Sequence, residues 1–360
     1  MFLSDERRDV FLPLAATGMS EEVVRKLEAL GITTLEELRD TWTYGNRQLL
    51  TDYLGESPVR FAMYRPAPAL TRAAAATGPG ESINLGAAGR VPPLVRHARG
   101  LALSASQLKR RAEAPPGIAL GGRRGGRPAA AGLVSLIDKF PAVRDQGQRG
   151  TCVAFASVAF LEFHLAGGSA KTKQRSEQFL YWACKEIDGM PTQEGTTLAA
   201  ARKAMKTHGV CLNATWKYEP LPIGPTEGQG PPPDKAVAKA KQTRWADAAE
   251  QSPAGDVDAI RGHLDGGRPV VVGVLTFSNW DFPSAADTGE IGLPLPLSQP
   301  DGGHAICLVG YEPKPDAPGG GVFLFRNSWN MSWATGSRYQ AGYGTLFFEY
   351  VRQYALEAYR

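Results

Sequence analysis

The sequence predicts an α+β domain of two lobes over residues 132–360, helical in its first half and rich in β-strands in its second. Three segments in the first half have the apolar patterning of helices, at residues 152–161, 176–186 and 197–208. Four apolar runs in the second half are predicted to be strands, at residues 269–277, 304–311, 321–329 and 342–350. In such an arrangement the first helix faces the later strands across a cleft.

Residues 1–62 are predicted to form a small all-α module. Ser20 can cap a first helix, and Thr33 and Glu36 have the spacing of a capping box for a second. The phrase LGITTLEEL resembles a helix-hairpin-helix module, although a clear Gly-x-Gly turn is missing. Residues 1–60 contain seven basic and eleven acidic side chains, a balance that repels phosphate groups. A protein partner is therefore favoured over nucleic acid. Alternatively, the module has only a structural role.

Residues 63–131 are rich in Ala, Pro, Gly and Arg and show no sustained periodicity. Residues 61–135 contain eleven basic side chains and only two acidic ones. A solvated linker explains this composition, while a basic stripe for nucleic acid or an acidic membrane is less favoured because no aromatic residue lies between Tyr64 and Phe140. A third possibility, a pro-segment, depends on the chemistry of the following domain.

The bulk composition narrows the class of protein. No apolar run approaches the roughly 18–20 residues that a membrane-spanning helix needs, and the first residues lack the pattern of a signal peptide. The four cysteines are widely spaced and form no Cys-x-x-Cys pair, which argues against a zinc site: Cys152, Cys184, Cys211 and Cys307. We therefore expect four thiols in a reducing compartment, a cytoplasmic location, and no metal or organic cofactor.

The strongest chemical signal is the segment QGQRGTC, which ends at Cys152. A thiol in the first turn of a buried helix lies near the positive end of the helix dipole, which favours the thiolate. The glycines allow backbone N–H groups to approach a developing oxyanion, and Gln146 can supply a side-chain donor to the same charge. Taken alone, Cys152 could equally be a small core residue.

Two further motifs lie on predicted strands. His304 follows two glycines and opens the apolar run HAICLVGY, and Asn327 stands in RNSW at the end of the next run. Asn327 could orient the imidazole, and Trp329 could keep water away from their hydrogen bond. Each motif alone is more often structural than catalytic, but Gln146, Cys152, His304 and Asn327 occur in an order that makes a shared role more plausible than coincidence.

In these motifs the chain resembles the papain family of cysteine peptidases over roughly residues 133–360. The resemblance implies a papain-like two-lobe fold and a thiol endopeptidase activity through an acyl-thiol intermediate. By that match Cys152 is the nucleophile, His304 the base and acid, Asn327 the residue that orients it, and Gln146 an oxyanion donor. Trp329 shields the pair at the edge of the substrate-binding cleft.

The same resemblance implies that Gly195 pairs its backbone with a peptide substrate. Arg149 stands where secreted relatives carry a disulfide cysteine, which suits a bacterial, cytosolic-type variant of the family. An isopeptidase, amidase or transpeptidase on the same fold remains an alternative, as does a peptide-binding scaffold without activity.

For the basic segment, residues 63–131, the resemblance allows two interpretations. Family chains mature about two dozen residues before the nucleophile, which reaches the end of GGRRGGR, and such a glycine-rich stretch suits proteolysis. In one reading, part of residues 100–127 lies across the cleft until self-processing near residues 121–127 removes it, so that the chain is a zymogen. In the other, the segment is an uncleaved tether to the N-terminal module.

Overall fold

A computed structural model describes residues 13–17, 19–30, 32–35, 37–38, 54, 99–102, 132–222, 224–245, 251–252, 254–294 and 300–360. The chain divides into two compact units: the described residues up to 54 belong to the first and those from 99 onward to the second. Residues 99–102, which the sequence assigns to the linker, thus belong with the second unit.

In the first unit, helix α1 spans Glu21–Ala29, as the sequence predicts. The Ser20 hydroxyl accepts a hydrogen bond from the Val23 N–H and caps the helix. The predicted capping box forms one residue later than expected, because the Glu37 carboxylate accepts from the backbone N–H of Thr34 while the Thr34 hydroxyl accepts from the Glu37 N–H. Residues 39–53 lie outside the described part, so the helix-hairpin-helix arrangement stays a prediction.

The first half of the second unit contains three α-helices. They are α2 at Cys152–Leu165, α3 at Glu177–Asp188 and α4 at Leu198–Thr207, close to the predicted bounds. Later come α5 at Asp234–Ala240, α6 at Val257–Asp265, α7 at Pro283–Thr288 and α8 at Phe348–Tyr354. Among the described residues, none of the helices combines the length and the hydropathy required to cross a bilayer.

The strands are β1 at Val134–Ser135, β2 at Gln251–Ser252, β3 at Val270–Thr276, β4 at Glu290–Ile291, β5 at Gly302–Pro313, β6 at Gly321–Arg326, β7 at Tyr343–Phe347 and β8 at Ala355–Tyr359. In the described residues they form one sheet in the order β2-β8-β3-β5-β6-β7-β4, with β1 paired to β5. The ladders are antiparallel except between β4 and β7. The strand predicted over 342–350 ends early, because α8 begins at Phe348.

Helix α2 is the central packing element, and every residue from Cys152 to Phe163 is buried. The helix packs against α3 and α4 on one side and against β3 and β5 on the other. Burying one large apolar side chain stabilises a fold by roughly 1.5–3 kcal/mol, and α2 buries Phe160, Leu161 and Phe163 among others. The nearly all-round burial that the sequence predicts is confirmed, and it fixes the helix start relative to the sheet.

A buried arginine braces the loop before α2. The Arg149 guanidinium donates to the Gln178 Oε1 atom of α3 and to the carbonyl oxygens of Glu219 and Glu227, each at 2.7 Å. Its side chain is almost wholly buried between two tyrosine rings. Where the family resemblance leads one to look for a disulfide cysteine, a charged side chain thus links the loop, the helix and a distant segment without a covalent bond.

We expect Arg149→Ala to lower the free energy of unfolding by about 3 kcal/mol or more, because each buried acceptor left without its donor costs about 1–3 kcal/mol. Urea unfolding of the full-length protein, followed by circular dichroism, measures the change. Lys171→Ala, at an exposed loop position, is the control and should leave the midpoint unchanged. An unchanged midpoint in Arg149→Ala would show that the bracing is dispensable.

Candidate active site

Cys152 is the first residue of α2, and its side chain is completely buried. Its Sγ atom accepts hydrogen bonds from the backbone N–H of Gly100 at 3.3 Å and of Ala305 at 3.4 Å. Burial raises the pKa of the Cys152 thiol to about 11, and the backbone N–H groups around the sulfur offset only part of this effect. In this state Cys152 is therefore a protonated thiol at neutral pH, despite its place at the helix start.

His304 and Asn327 meet because β5 and β6 are antiparallel neighbours. His304 lies near the start of β5, and Asn327 follows the last residue of β6. The His304 Nε2 and Asn327 Oδ1 atoms are 2.9 Å apart. An amide oxygen can only accept, so Nε2 carries the hydrogen in this pair. Oδ1 also accepts from the Ser328 N–H at 2.9 Å, which fixes the orientation of the amide.

Two tryptophans enclose the imidazole. The Trp329 ring is stacked on His304 with centroids 4.7 Å apart and an interplanar angle of 27°. The Trp280 ring packs edge-on against the same imidazole at 5.5 Å, and its Nε1–H donates to the Tyr350 hydroxyl at 2.8 Å. All of these rings are buried, so the hydrogen bond between His304 and Asn327 lies in a medium of low dielectric constant and is strengthened by it.

Gln146 connects the loop before Cys152 to the end of β6. Its backbone N–H donates to the Ser328 carbonyl at 2.9 Å, and the Ser328 hydroxyl donates to Gln146 Oε1 at 2.6 Å. The Gln146 Nε2 atom donates to the Arg149 carbonyl at 2.8 Å, within the turn that leads to Cys152. The loop before α2 and the end of β6 are therefore joined directly, with the amide nitrogen facing the turn that leads to Cys152.

Residues 99–102 lie in the cleft over Cys152, between Thr196 and β5. The Gly100 carbonyl accepts from the Thr196 N–H at 2.9 Å, and the Ala102 N–H donates to the Thr196 carbonyl at 2.8 Å. The Leu101 N–H donates to the Gly303 carbonyl at 3.1 Å. Leu101 and Thr196 thus form a parallel bridge, and this short strand covers Cys152.

The backbone that pairs with the segment in the cleft is that of Thr196, one residue after Gly195. The Gly195 N–H donates to the Tyr181 hydroxyl at 3.0 Å, and its carbonyl accepts from Lys185 at 2.8 Å. Gly195 has a φ of +86°, and a Cβ atom there would lie 2.7 Å from the Gly100 carbonyl oxygen. Gly195 therefore permits the close approach of another backbone segment, and Thr196 makes the hydrogen bonds to residues 99–102.

The fit of residues 99–102 is tight. A Cβ atom on Gly100 would lie 1.6 Å from the Gly150 carbonyl oxygen, a distance that no side chain can adopt. The Leu101 side chain is buried against two glycines on the sheet, and added Cβ atoms would lie 2.7 Å from it at Gly273 and 3.0 Å from its carbonyl oxygen at Gly303. The small residues on both sides therefore set the depth at which the segment is bound.

A family model described as papain family cysteine protease matches residues 137–346, a stretch that includes Cys152, His304 and Asn327. The chain belongs to the papain family. Xylellain, a cysteine protease from Xylella fastidiosa, has a solved structure that resembles this one with a TM-score of 0.55 at 23% identity, covering 73% of this chain and 94% of xylellain. The predicted papain-like α+β fold is thereby confirmed.

Two curated relatives share more limited similarity. An uncharacterized peptidase C1-like protein of Acanthamoeba polyphaga mimivirus is 26% identical over 215 residues, which cover 58% of this chain and 64% of that protein. Cathepsin B-like CP2 of Giardia intestinalis is 27% identical over 207 residues, covering 54% and 61% of the two chains. This papain-family chain thus spans less than two thirds of the length of these relatives.

The structure brings Gln146, Cys152, His304, Asn327 and Trp329 to one place, although they come from four separate elements. Sequence reasoning did not identify the contacts of Trp280, Ser328, Ala305 and Thr196. Ala305 and Thr196 make their contacts through backbone atoms, which every residue type has, so the sequence does not reveal them. Trp280 lies outside the motifs identified in the sequence. Within the described part of the chain, no group of three or more His, Cys, Asp and Glu side chains could hold a metal ion.

We expect Gly100→Ala to displace the segment from the cleft of the full-length protein. Overpacking at such a contact costs about 1–3 kcal/mol, so iodoacetamide should alkylate Cys152 about tenfold faster, a rate that peptide mass spectrometry measures. Gly262→Ala adds the same methyl group in α6, where a Cβ atom would meet nothing within 4 Å, and should leave the rate unchanged. Equal rates in both variants would contradict a cleft closed by Gly100.

Proposed function

We propose that the protein is a thiol endopeptidase that hydrolyses peptide bonds through an acyl-thiol intermediate. The observation that carries this proposal is the contact between the Cys152 Sγ atom and the Ala305 N–H, beside an imidazole whose Nε2–H is engaged with Asn327. These contacts support Cys152 as the nucleophile, His304 as the base and Asn327 as the orienting residue.

In the proposed reaction His304 takes the Cys152 proton, and the thiolate attacks the carbonyl carbon of the peptide. The Gln146 side-chain amide and a backbone N–H at the start of α2 hold the resulting oxyanion. Because Nε2 donates to Asn327, Nδ1 is the His304 atom that transfers the proton to the leaving amine. Water then attacks the acyl carbon with His304 as base, the C–S bond breaks, and the acid product leaves.

We infer further that the full-length chain is latent. Gly100 presents its backbone N–H to the sulfur. This group is a hydrogen-bond donor and offers no electrophilic carbon for the sulfur to attack. The segment therefore occupies the site without being a substrate in this arrangement. Closure also buries Cys152 and raises the pKa of its thiol. Departure of the segment admits water and so favours the thiolate beside a protonated His304.

Other parts of the proposal concern the protein's setting. Thr196 and Trp329 would line the path of the peptide substrate, with Gly195 allowing its close approach. All four cysteines are free and buried, which suits a reducing compartment, and we place the protein in the cytoplasm as a bacterial-type variant. The N-terminal helical module would serve a protein partner.

We expect Cys152→Ala and His304→Ala each to abolish cleavage of a quenched fluorescent peptide library, because general acid–base catalysis alone contributes about 10²–10⁴-fold. Asn327→Ala should reduce kcat less than His304→Ala does, because it removes the orientation of the imidazole but keeps the base. Product masses should show hydrolysis when competing amines are present. Retained cleavage in Cys152→Ala would contradict the assigned nucleophile.

Incubation of the purified full-length protein should produce new N-termini between residues 121 and 130, since the glycine-rich stretch there has no bulky side chain except arginine. N-terminal sequencing over time detects the cut. The matched control is Cys152→Ala, which should stay intact. A wild-type chain that is fully active and uncut would show that no processing is required, and that residues 63–131 are a tether.

A further inference from the structure

Two carboxylates flank the cleft beside the reaction centre, and both bind Arg99. The Arg99 Nη2 atom lies 2.7 Å from Asp281 Oδ1, and Nη1 lies 2.9 Å from Asp301 Oδ1. The Arg99 and Asp281 side chains are only 11% and 8% exposed. A nearly buried guanidinium thus bridges two acids on two different segments, an arrangement in which each partner stabilises the charge of the other.

The carboxylates are positioned by the peptidase domain itself. Asp301 accepts from the Thr276 hydroxyl at 2.8 Å, and its N–H donates to the Thr276 carbonyl at 2.9 Å. Asp281 ends a short 3-10 helix, Ser278–Asp281, directly after the tryptophan that packs on His304. The aliphatic part of Arg99 lies over Gly302, where an added Cβ atom would be 3.9 Å from Arg99 Cδ. Asp301 is therefore held by β3, and the backbone of Asp281 is placed by the 3-10 helix that follows β3.

We propose that Asp281 and Asp301 form a subsite for a basic side chain of the substrate, which Arg99 fills in the latent chain. This inference rests on the proposed peptidase function and adds a substrate class to it. Both carboxylates bind one guanidinium in this structure, and a basic side chain of the substrate would make the same ionic hydrogen bonds once Arg99 has left. Arginine satisfies both acids through its planar fork, and lysine satisfies the charge alone.

The segment in the cleft also shows which side chains the surfaces on either side of Cys152 accept. Gly100 faces the sulfur, Arg99 is one residue to one side, and Leu101 is one residue to the other. Leu101 packs on Gly273 and Gly303, so its side of the cleft accepts an aliphatic side chain. The structure therefore assigns a basic and an aliphatic subsite to opposite sides of the nucleophile, and the acid pair is the one that discriminates by charge.

The test uses the full-length chain with Arg99→Ala and Gly100→Ala combined, so that the arginine is removed and the segment no longer closes the cleft. The probes are the acetylated, amidated peptide Ala-Arg-Gly-Leu-Ala, identical to residues 98–102, and the same peptide with citrulline, a neutral isostere, in place of arginine. The readout is protection of Cys152 from iodoacetamide, which requires a thiol but no turnover. We expect the arginine peptide to protect Cys152 at a concentration at least about tenfold lower than the citrulline peptide needs. The reason is that ionic hydrogen bonds are stronger than neutral ones.

Adding Asp281→Asn or Asp301→Asn should bring the two peptides close to equal protection. Asp258→Asn, which removes an exposed carboxylate that pairs with Arg261 in α6, is the matched control and should keep the preference. Equal protection by both peptides without the Asn substitutions, or a preference that survives both of them, would overturn the subsite.

Cleavage of peptides with Arg, Lys, Gln or Met at each position extends the test to substrates. We expect one position to favour Arg and Lys in processed wild type and to lose that preference in Asp281→Asn and Asp301→Asn, with the aliphatic preference retained. A charge preference seen in cleavage but unaffected by either substitution would overturn the subsite. Failure of the wild type to cleave any peptide would contradict the peptidase function, while the protection experiment still decides whether the acids bind a basic side chain.

Discussion

The packing of α2 between the helical lobe and β5 is the constraint on which the site depends. Every residue of α2 from Cys152 to Phe163 is buried, so the helix cannot shift along its axis without opening cavities on both sides. Its first residue thereby lies against the Ala305 N–H, next to His304. The β5–β6 ladder then sets Asn327 against the imidazole. A slip of one residue between β5 and β6 would turn His304 to the opposite face of the sheet.

The burial that builds this site also disfavours the thiolate form of Cys152. Residues 99–102 complete the enclosure of Cys152, and desolvation then raises the thiol pKa to about 11. A buried neutral thiol costs little to maintain, whereas a buried thiolate needs a cation and hydrogen bonds. The closed chain is thus stabilised in the form that cannot attack a peptide. The same strand presents Arg99 to Asp281 and Asp301, so the proposed latency and the proposed substrate preference share one set of contacts.

The extent of the sequence prediction follows from what a residue type can encode. The helices, most strands and the cluster of Gln146, Cys152, His304 and Asn327 were predictable, because apolar periodicity and reactive side chains are visible in sequence. The pairing of Thr196 with residues 99–102 could not be predicted, since any residue can supply an N–H and a carbonyl. Strand β7 ends earlier than predicted because α8 begins at Phe348. The acid pair of Asp281 and Asp301 lies twenty residues apart in sequence, and only the fold brings it to one cation.

The central claim is that residues 99–102 close the cleft over Cys152. Hydrogen exchange at the amides of Leu101, Ala102 and Thr196 measures this closure directly, because each of them donates a hydrogen bond across the cleft. In the intact chain we expect all three to exchange at least about a hundredfold more slowly than in an unstructured peptide, and to lose this protection together in Gly100→Ala. Exchange of Leu101 and Ala102 at the rate of an unstructured peptide in the intact chain would contradict it.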